Sequence, residues 1–165
     1  SKRAELDGTQ REVPLGELKG RLRDQRQVKL LALTGEGSRI IAEIKRRTPF
    51  KGDLVEQFDA MKIAETYAAN GADAISILTE SKFFGGSLEY LSEASEKINV
   101  PLLRKDFIFS EYQVYESRVF GADFFLLIAT SLDKNQLKDL LLLGAELGMT
   151  VLVESHDEKD MEKAM

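Results

Sequence analysis

Apolar positions gather into five short runs: IIAEI at 40–44, AISIL at 74–78, PLLRK at 101–105, DFFLLIA at 123–129 and TVLVE at 150–154. The runs are mostly apolar rather than cleanly alternating, the pattern of parallel strands covered by helices. Between them the apolar spacing becomes helical. Residues 57–69 place Phe58, Met61, Ala64 and Ala68 on one stripe. Helices are also predicted over 87–97 behind an N-cap at Ser87, and over 110–120 behind Ser110, with Gln113 completing a capping box. Two more are predicted over 133–147, starting after Ser131 or Asp133 and ending near Gly148, and over 157–165. Gly-Ala-Asp occurs at 71–73 and again at 121–123, each time between a helix and a strand. Glycine suits the residue that ends a helix, so the echo reads either as a repeated βα unit or as a coincidence of two turns.

Five strand–helix units in strict alternation predict an α/β fold with a parallel sheet. The loop after the first run, KRRTPFKG, lacks the Gly-x-Gly-x-x-Gly of an open nucleotide-binding sheet. Charged and polar residues stand instead at several strand ends: Glu43 and Lys45, Thr79 and Glu80, Lys105 and Asp106, and Glu154. That is the arrangement of a (β/α)8 TIM barrel, which takes its chemistry from the C-terminal ends of many strands. Only about five of eight βα units are present. The expectation is therefore an N-terminal helical extension over 1–39 and a partial barrel over 40–165, in a chain that is a fragment or continues past Met165. In the extension, PLGELKGRLRD (14–24) and QVKLLAL (27–33) read as amphipathic helices, with Pro14 in a first turn and GEGS (35–38) as a linker. A cap under the barrel and a lid over its active face fit equally well.

Composition narrows the function. The chain is 43% hydrophobic and 31% charged with a formal net charge of -5, which argues against a general nucleic-acid surface. It has no cysteine and a single histidine, His156, which excludes disulfides, thiolate chemistry and multi-histidine metal sites. No apolar run is long enough to span a bilayer, and SKRAELDGTQ lacks a signal-peptide core. The expectation is a cytoplasmic protein with no membrane or nucleic-acid partner. His156 reads as a surface turn residue.

Side chains alternate along a strand. Ile40, Ala42 and Ile44 form an apolar set that must meet the helices, so Glu43 and Lys45 point into the barrel mouth. By the same rule Leu103 and Lys105 share a face, and Leu152 and Glu154 point inward. Alternate strands share a side-chain layer in this fold, so two carboxylates and two ammonium groups are expected to converge. A carboxylate in an apolar mouth gains pKa and a crowded ammonium loses it, giving a base and an acid near neutral pH. A buried ion-pair network closing the barrel top uses the same residues.

AEIKRRTPFKG, ISILTESKFFGGS, PLLRKDFI and VLVESHD follow one another as in the indole-3-glycerol phosphate synthase family, which the chain resembles over nearly its whole length. The resemblance implies a carboxy-lyase of tryptophan biosynthesis. Its substrate would be 1-(2-carboxyphenylamino)-1-deoxyribulose 5-phosphate, closed to indole-3-glycerol phosphate with loss of carbon dioxide and water. It implies Lys105 as general acid on the substrate carbonyl and Glu154 as general base of the dehydration. Lys45 would bind the substrate carboxylate and serve as an acid, and Glu43 would orient Lys45. Phe84, Phe107, Pro49 and Leu126 would bind substrate. No metal and no organic cofactor is implied.

The first loop reads Thr48-Pro49-Phe50 where the family has close to Ser-Pro-Ser, and Ser155 stands where an apolar residue is common. The family's phosphate-binding glycines come from later loops, so the chain alone is expected to be inactive, and to self-associate if strands six to eight are absent. Rival readings are a different phosphosugar barrel enzyme such as an isomerase, a non-catalytic partial barrel, and a paralogue that only binds ligand.

Overall fold

The computed structural model describes residues 2–22, 25–31 and 37–165. Five strands form one parallel sheet in chain order: β1 (Ile41–Ile44), β4 (Ala74–Leu78), β5 (Leu102–Lys105), β6 (Phe124–Ile128) and β7 (Thr150–Glu154). A two-stranded ribbon, β2 (Arg47–Thr48) and β3 (Gly52–Asp53), stands on the loop after β1. Helices α3 (Ala60–Ala69), α5 (Leu88–Lys97), α6 (Glu111–Val119) and α7 (Lys134–Glu146) join successive sheet strands. A short α4 (Ser81–Phe84) precedes α5, and α8 (Glu158–Ala164) follows β7.

The sheet curls. Ile41 on its first strand and Leu152 on its last pack against the same inner cluster of Ala74, Leu103, Phe124 and Leu126. The other face meets the helices. Ala42, Ile44, Ile75, Ile77 and Leu102 pack under α3 and α5, and Phe125, Leu127, Val151 and Val153 under α6 and α7. This is a parallel α/β sheet with the curvature and one-sided helix layer of a partial (β/α)8 barrel. Ser87, Ser110, Asp133 and Asp157 accept main-chain N–H groups in the first turns of their helices, and so does Asp59, which the apolar stripe had placed inside the helix over 57–69. Asp133, not Ser131, caps α7.

The Gly-Ala-Asp echo is a structural repeat. Gly71 and Gly121 both have positive φ, at 87° and 86°, and turn the chain from a helix into a strand. Each Asp then closes the start of the neighbouring strand. Asp73 accepts the Ile40 N–H at 2.8 Å, and Asp123 accepts the Leu102 N–H at 2.9 Å. Asp123 also takes both Arg26 nitrogens, at 2.7 and 2.9 Å, and the Lys29 N–H at 2.6 Å.

The extension departs from expectation. Lys2–Glu12 forms α1, which the apolar pattern did not announce, and Leu15–Arg21 forms α2, with Pro14 at its N-cap. Residues 23–24 and 32–36, part of the expected helices and linker, lie outside the described residues. Residues 27–31 are not helical. Arg26 and Lys29 are drawn onto Asp123, and the Lys29 ammonium donates to the Ile98 carbonyl. Val28 then packs in the outer cluster and Leu31 in the inner one. Two apolar residues at helical spacing thus serve opposite faces of the sheet, which only an extended segment allows. Leu6 and Leu18 hold α1 and α2 against Tyr112 on α6, whose hydroxyl donates to the Val13 carbonyl at 2.9 Å.

Asp123 is buried and anchors four donors, whereas Asp73 is partly exposed. Asp123→Ala should therefore cost about 3 kcal/mol or more of stability by leaving Arg26 without its counter-charge, and Asp73→Ala distinctly less. Urea unfolding of the two variants checks this, and equal losses would contradict it.

Candidate active site

Glu43, Lys45 and Lys105 meet at the C-terminal end of the sheet. Glu43 lies on β1, an odd position beside inward-facing Ile41, and its carboxylate is shared. Oε1 accepts the Lys45 ammonium at 2.6 Å and Oε2 the Lys105 ammonium at 2.7 Å. All three side chains are 27–37% exposed, so the cluster faces a cleft. Burial pushes the Glu43 carboxyl up, but the hydrogen bonds and charges of Lys105 and Lys45 outweigh it and hold Glu43 below the usual carboxylate range. The expected gain in pKa is thus corrected for this residue: pairing with two cations dominates over the apolar mouth.

The cluster borders a cavity of about 210 Å3. Glu154, at the end of β7, lines it from the far side, with Phe84, Phe107 and Leu126 supplying apolar wall. Leu78, Glu80, Asp106 and Ile128 also line it. The inward faces of Leu78 and Ile128 follow from the same alternation that located Glu43. His156 is a surface residue, as read, yet its Nε2 lies 3.0 Å from Glu154 Oε1, a contact the sequence reading did not foresee. Pro49 does not join the site. It is exposed at the tip of the β2–β3 ribbon, and Phe50 beside it is 98% exposed. Arg47 pairs with Asp53 across the ribbon, and the Arg47 side chain donates to the Lys82 carbonyl at 2.6 Å, which ties the ribbon to α4.

The apolar wall is set by main-chain hydrogen bonds. Glu80 is the N-cap of α4 and accepts the N–H groups of Lys82, Phe83 and Phe84. Gly86 lets the chain return under that turn: a Cβ there would lie 2.2 Å from the Leu78 carbonyl oxygen. Phe107 is gripped from both sides. Its N–H donates to Asp106 Oδ1 at 2.8 Å, and its carbonyl accepts the Gln113 amide at 2.8 Å. Gln113 Oε1 takes the Phe109 N–H at 3.0 Å rather than that of the cap residue, so its side chain clamps the loop instead of closing the expected reciprocal box.

Behind this wall lies a second charge cluster, on the helix side of β5. Arg104 is 2% exposed; its guanidinium reaches Glu116 at 2.7 Å, Asp106 at 3.2 Å, the Thr79 hydroxyl at 3.1 Å and the Gln113 carbonyl at 3.0 Å. Asp106 also accepts the Thr79 hydroxyl at 2.7 Å and pairs with Lys2 of α1 at 3.0 Å. Two cations and two carboxylates balance, as buried charges require. Thus α1 touches the active-face end of the sheet through Lys2, while residues 26–31 bind its opposite end through Asp123 and Leu31. Among the described residues no group of three or more His, Cys, Asp or Glu side chains could hold a metal ion. No described helix is long and apolar enough to cross a membrane.

Residues 1–165 match a family model described as Indole-3-glycerol phosphate synthase. An indole-3-glycerol phosphate synthase of Campylobacter jejuni (strain 81-176) is 51% identical over 138 residues, covering 84% of this chain and 54% of that protein. One from Streptomyces griseus is 45% identical over 165 residues, covering 99% and 61%. One from Sulfurimonas denitrificans is 51% identical over 127 residues, covering 77% and 48%. The chain spans about half to three-fifths of the length of these curated relatives.

Burial pushes Asp106 up, but the charges of Arg104 and Lys2 and the Thr79 hydroxyl prevail, so its carboxyl is held below the usual range. A depressed pKa contributes stability that is fully present above the unfolded value of about 3.9 and is lost as pH falls through the folded one. Asp106→Asn should therefore cost about 3 kcal/mol at neutral pH, with the gap to the parent narrowing below about pH 4. Urea midpoints measured across that range check it; a gap that does not change with pH would show that charge at Asp106 is not the cause.

Proposed function

The chain belongs to the indole-3-glycerol phosphate synthase family, and from that membership we propose that its cavity closes 1-(2-carboxyphenylamino)-1-deoxyribulose 5-phosphate to indole-3-glycerol phosphate, releasing carbon dioxide and water. The observation that carries this reading is the carboxylate of Glu43 shared by two ammonium groups on separate strands, at 2.6 and 2.7 Å. One carboxylate neutralises one of two cations, so this trio presents net positive charge to an anionic substrate. On this reading residues 1–39 are the extension and residues 40–165 carry the first five barrel strands.

In the first step the ring carbon bearing the carboxylate attacks the ketone carbon, and negative charge develops on the ketone oxygen. Lys105 stabilises that oxygen and protonates it. The carbon–carboxylate bond then breaks, and its electron pair returns to the ring as carbon dioxide leaves. Dehydration needs a proton delivered to the departing hydroxyl and one removed from the new ring. Lys45 is suited to the first and to holding the substrate carboxylate before it leaves. Glu154, on the opposite side of the cavity and free of the Glu43 trio, is suited to the second. Phe84, Phe107 and Leu126 offer a flat apolar slot for the aromatic ring. Pro49 and Phe50 are exposed and do not line the cavity, so none of these steps is assigned to the Thr48-Pro49-Phe50 loop.

Turnover is measured on the chain together with whatever sequence adjoins it in its natural protein. Lys105→Met and Glu154→Gln should each lower kcat by ~10²–10⁴-fold, the range for a positioned acid or base. Lys45→Met should raise KM as well, because it removes a contact made before chemistry. Near-parental kcat in both Lys105→Met and Glu154→Gln would overturn the assignment.

A further inference from the structure

Ser76 occupies the middle of β4. Its register partners are Glu43 on β1 and Leu103 on β5, both inward-facing. It is 3% exposed, and its hydroxyl has no hydrogen-bond partner among the described residues. Buried hydroxyls are almost always bonded, and one that is not weakens the fold relative to an apolar side chain of the same shape. Packing therefore does not account for a serine at this position. Ser76 lines a depression of about 210 Å3 whose other polar members are Glu43, Lys105 and Glu154, on an otherwise isoleucine and leucine floor.

Glu43 has capacity to spare. A carboxylate offers about four acceptor sites, and the two ammonium groups use one on each oxygen. We propose that Ser76 anchors an internal water molecule that donates to the Glu43 carboxylate from beneath, which makes Ser76 a positioning residue for the Lys45 and Lys105 ammonium groups. The depression has far more room than a single water needs, and it offers two or more polar partners. The consequence for catalysis rests on the reading of the cavity as the active site; the water itself does not.

Glu43 shares the cavity with Lys45 just past the end of its own strand, Lys105 from β5, Asp106 just beyond it, Glu80 at the N-cap of α4 and Glu154 from β7. A donor on its underside favours the ionised form. Losing that donor lets the carboxylate bind its proton more readily and loosens its hold on both cations.

The test compares the parent chain with Ser76→Ala and Ser76→Thr. The Glu43 carboxyl carbon, followed by NMR, should titrate about half a pH unit or more higher in Ser76→Ala, while Ser76→Thr, which keeps the hydroxyl, titrates like the parent. A crystal structure of the parent should contain a water bonded to both Ser76 Oγ and Glu43, absent from Ser76→Ala. An unmoved Glu43 titration in Ser76→Ala, or a parent hydroxyl that donates to a main-chain carbonyl with no water beside it, would overturn the proposal. These readouts require no turnover, so they fail or succeed independently of the kcat measurements that test the proposed function.

Discussion

Taking a carboxylate out of water costs several kcal/mol unless opposite charge comes with it. Glu43 meets that constraint with two ammonium groups, from the end of its own strand and from β5, which lies beyond β4 in the sheet. A flat sheet would hold β1 and β5 about two strand spacings apart, roughly 9–10 Å. The curl that brings inward side chains of alternate strands to one level is what lets long side chains close that gap. The site is thus a consequence of the inner apolar cluster. Ile41, Leu103, Leu126 and Leu152 set the curvature, and the residues two positions further on from Ile41, Leu103 and Leu152 are Glu43, Lys105 and Glu154.

Strand β5 serves two charge clusters at once. Lys105 points into the cavity and Arg104 into the helix layer, because consecutive residues on a strand face opposite sides. The Arg104 cluster is drier than the Glu43 cluster: Arg104, Asp106 and Glu116 are 1–6% exposed and Lys2 at its edge 19%, against 27–37%. That difference suits their tasks: the dry network holds a wall, and the wetter one is open to a ligand. Asp106 links the dry network to the cavity wall, since it pairs with Arg104 on one side and holds the Phe107 N–H on the other.

The strands and the inward or outward sense of their residues were legible because that information is local. Five apolar runs of the right length sufficed to place Glu43, Lys105 and Glu154 on one face, and the first-turn Ser and Asp residues located the caps. What was not legible depends on contacts distant in sequence. Residues 27–31 carry a helical spacing, yet Asp123, more than ninety residues away, captures Arg26 and the Lys29 N–H and draws the segment out straight. Gln113 fits a capping box by position but serves the loop at 107–109, whose needs no spacing rule encodes. Pro49 was carried into the site by its motif, but it stands exposed in the turn between β2 and β3 and does not line the cavity. The direction of the Glu43 shift turned on a competition between burial and pairing, and only the distances to both ammonium groups decide it.

The two ends of the sheet divide stability from chemistry. At the N-terminal ends of the strands, Asp73 and Asp123 accept main-chain N–H groups from their neighbours and fix strand register. At the C-terminal ends, charged side chains stand partly exposed around a cavity. The extension reaches both, with Arg26 at Asp123 and Lys2 at Asp106. Between those points α1 and α2 lie along α6, anchored by Leu6, Leu18 and Tyr112. Lys2 meets Asp106 and Asp106 holds the Phe107 N–H, so one carboxylate joins the cavity wall to the helix packing outside the sheet.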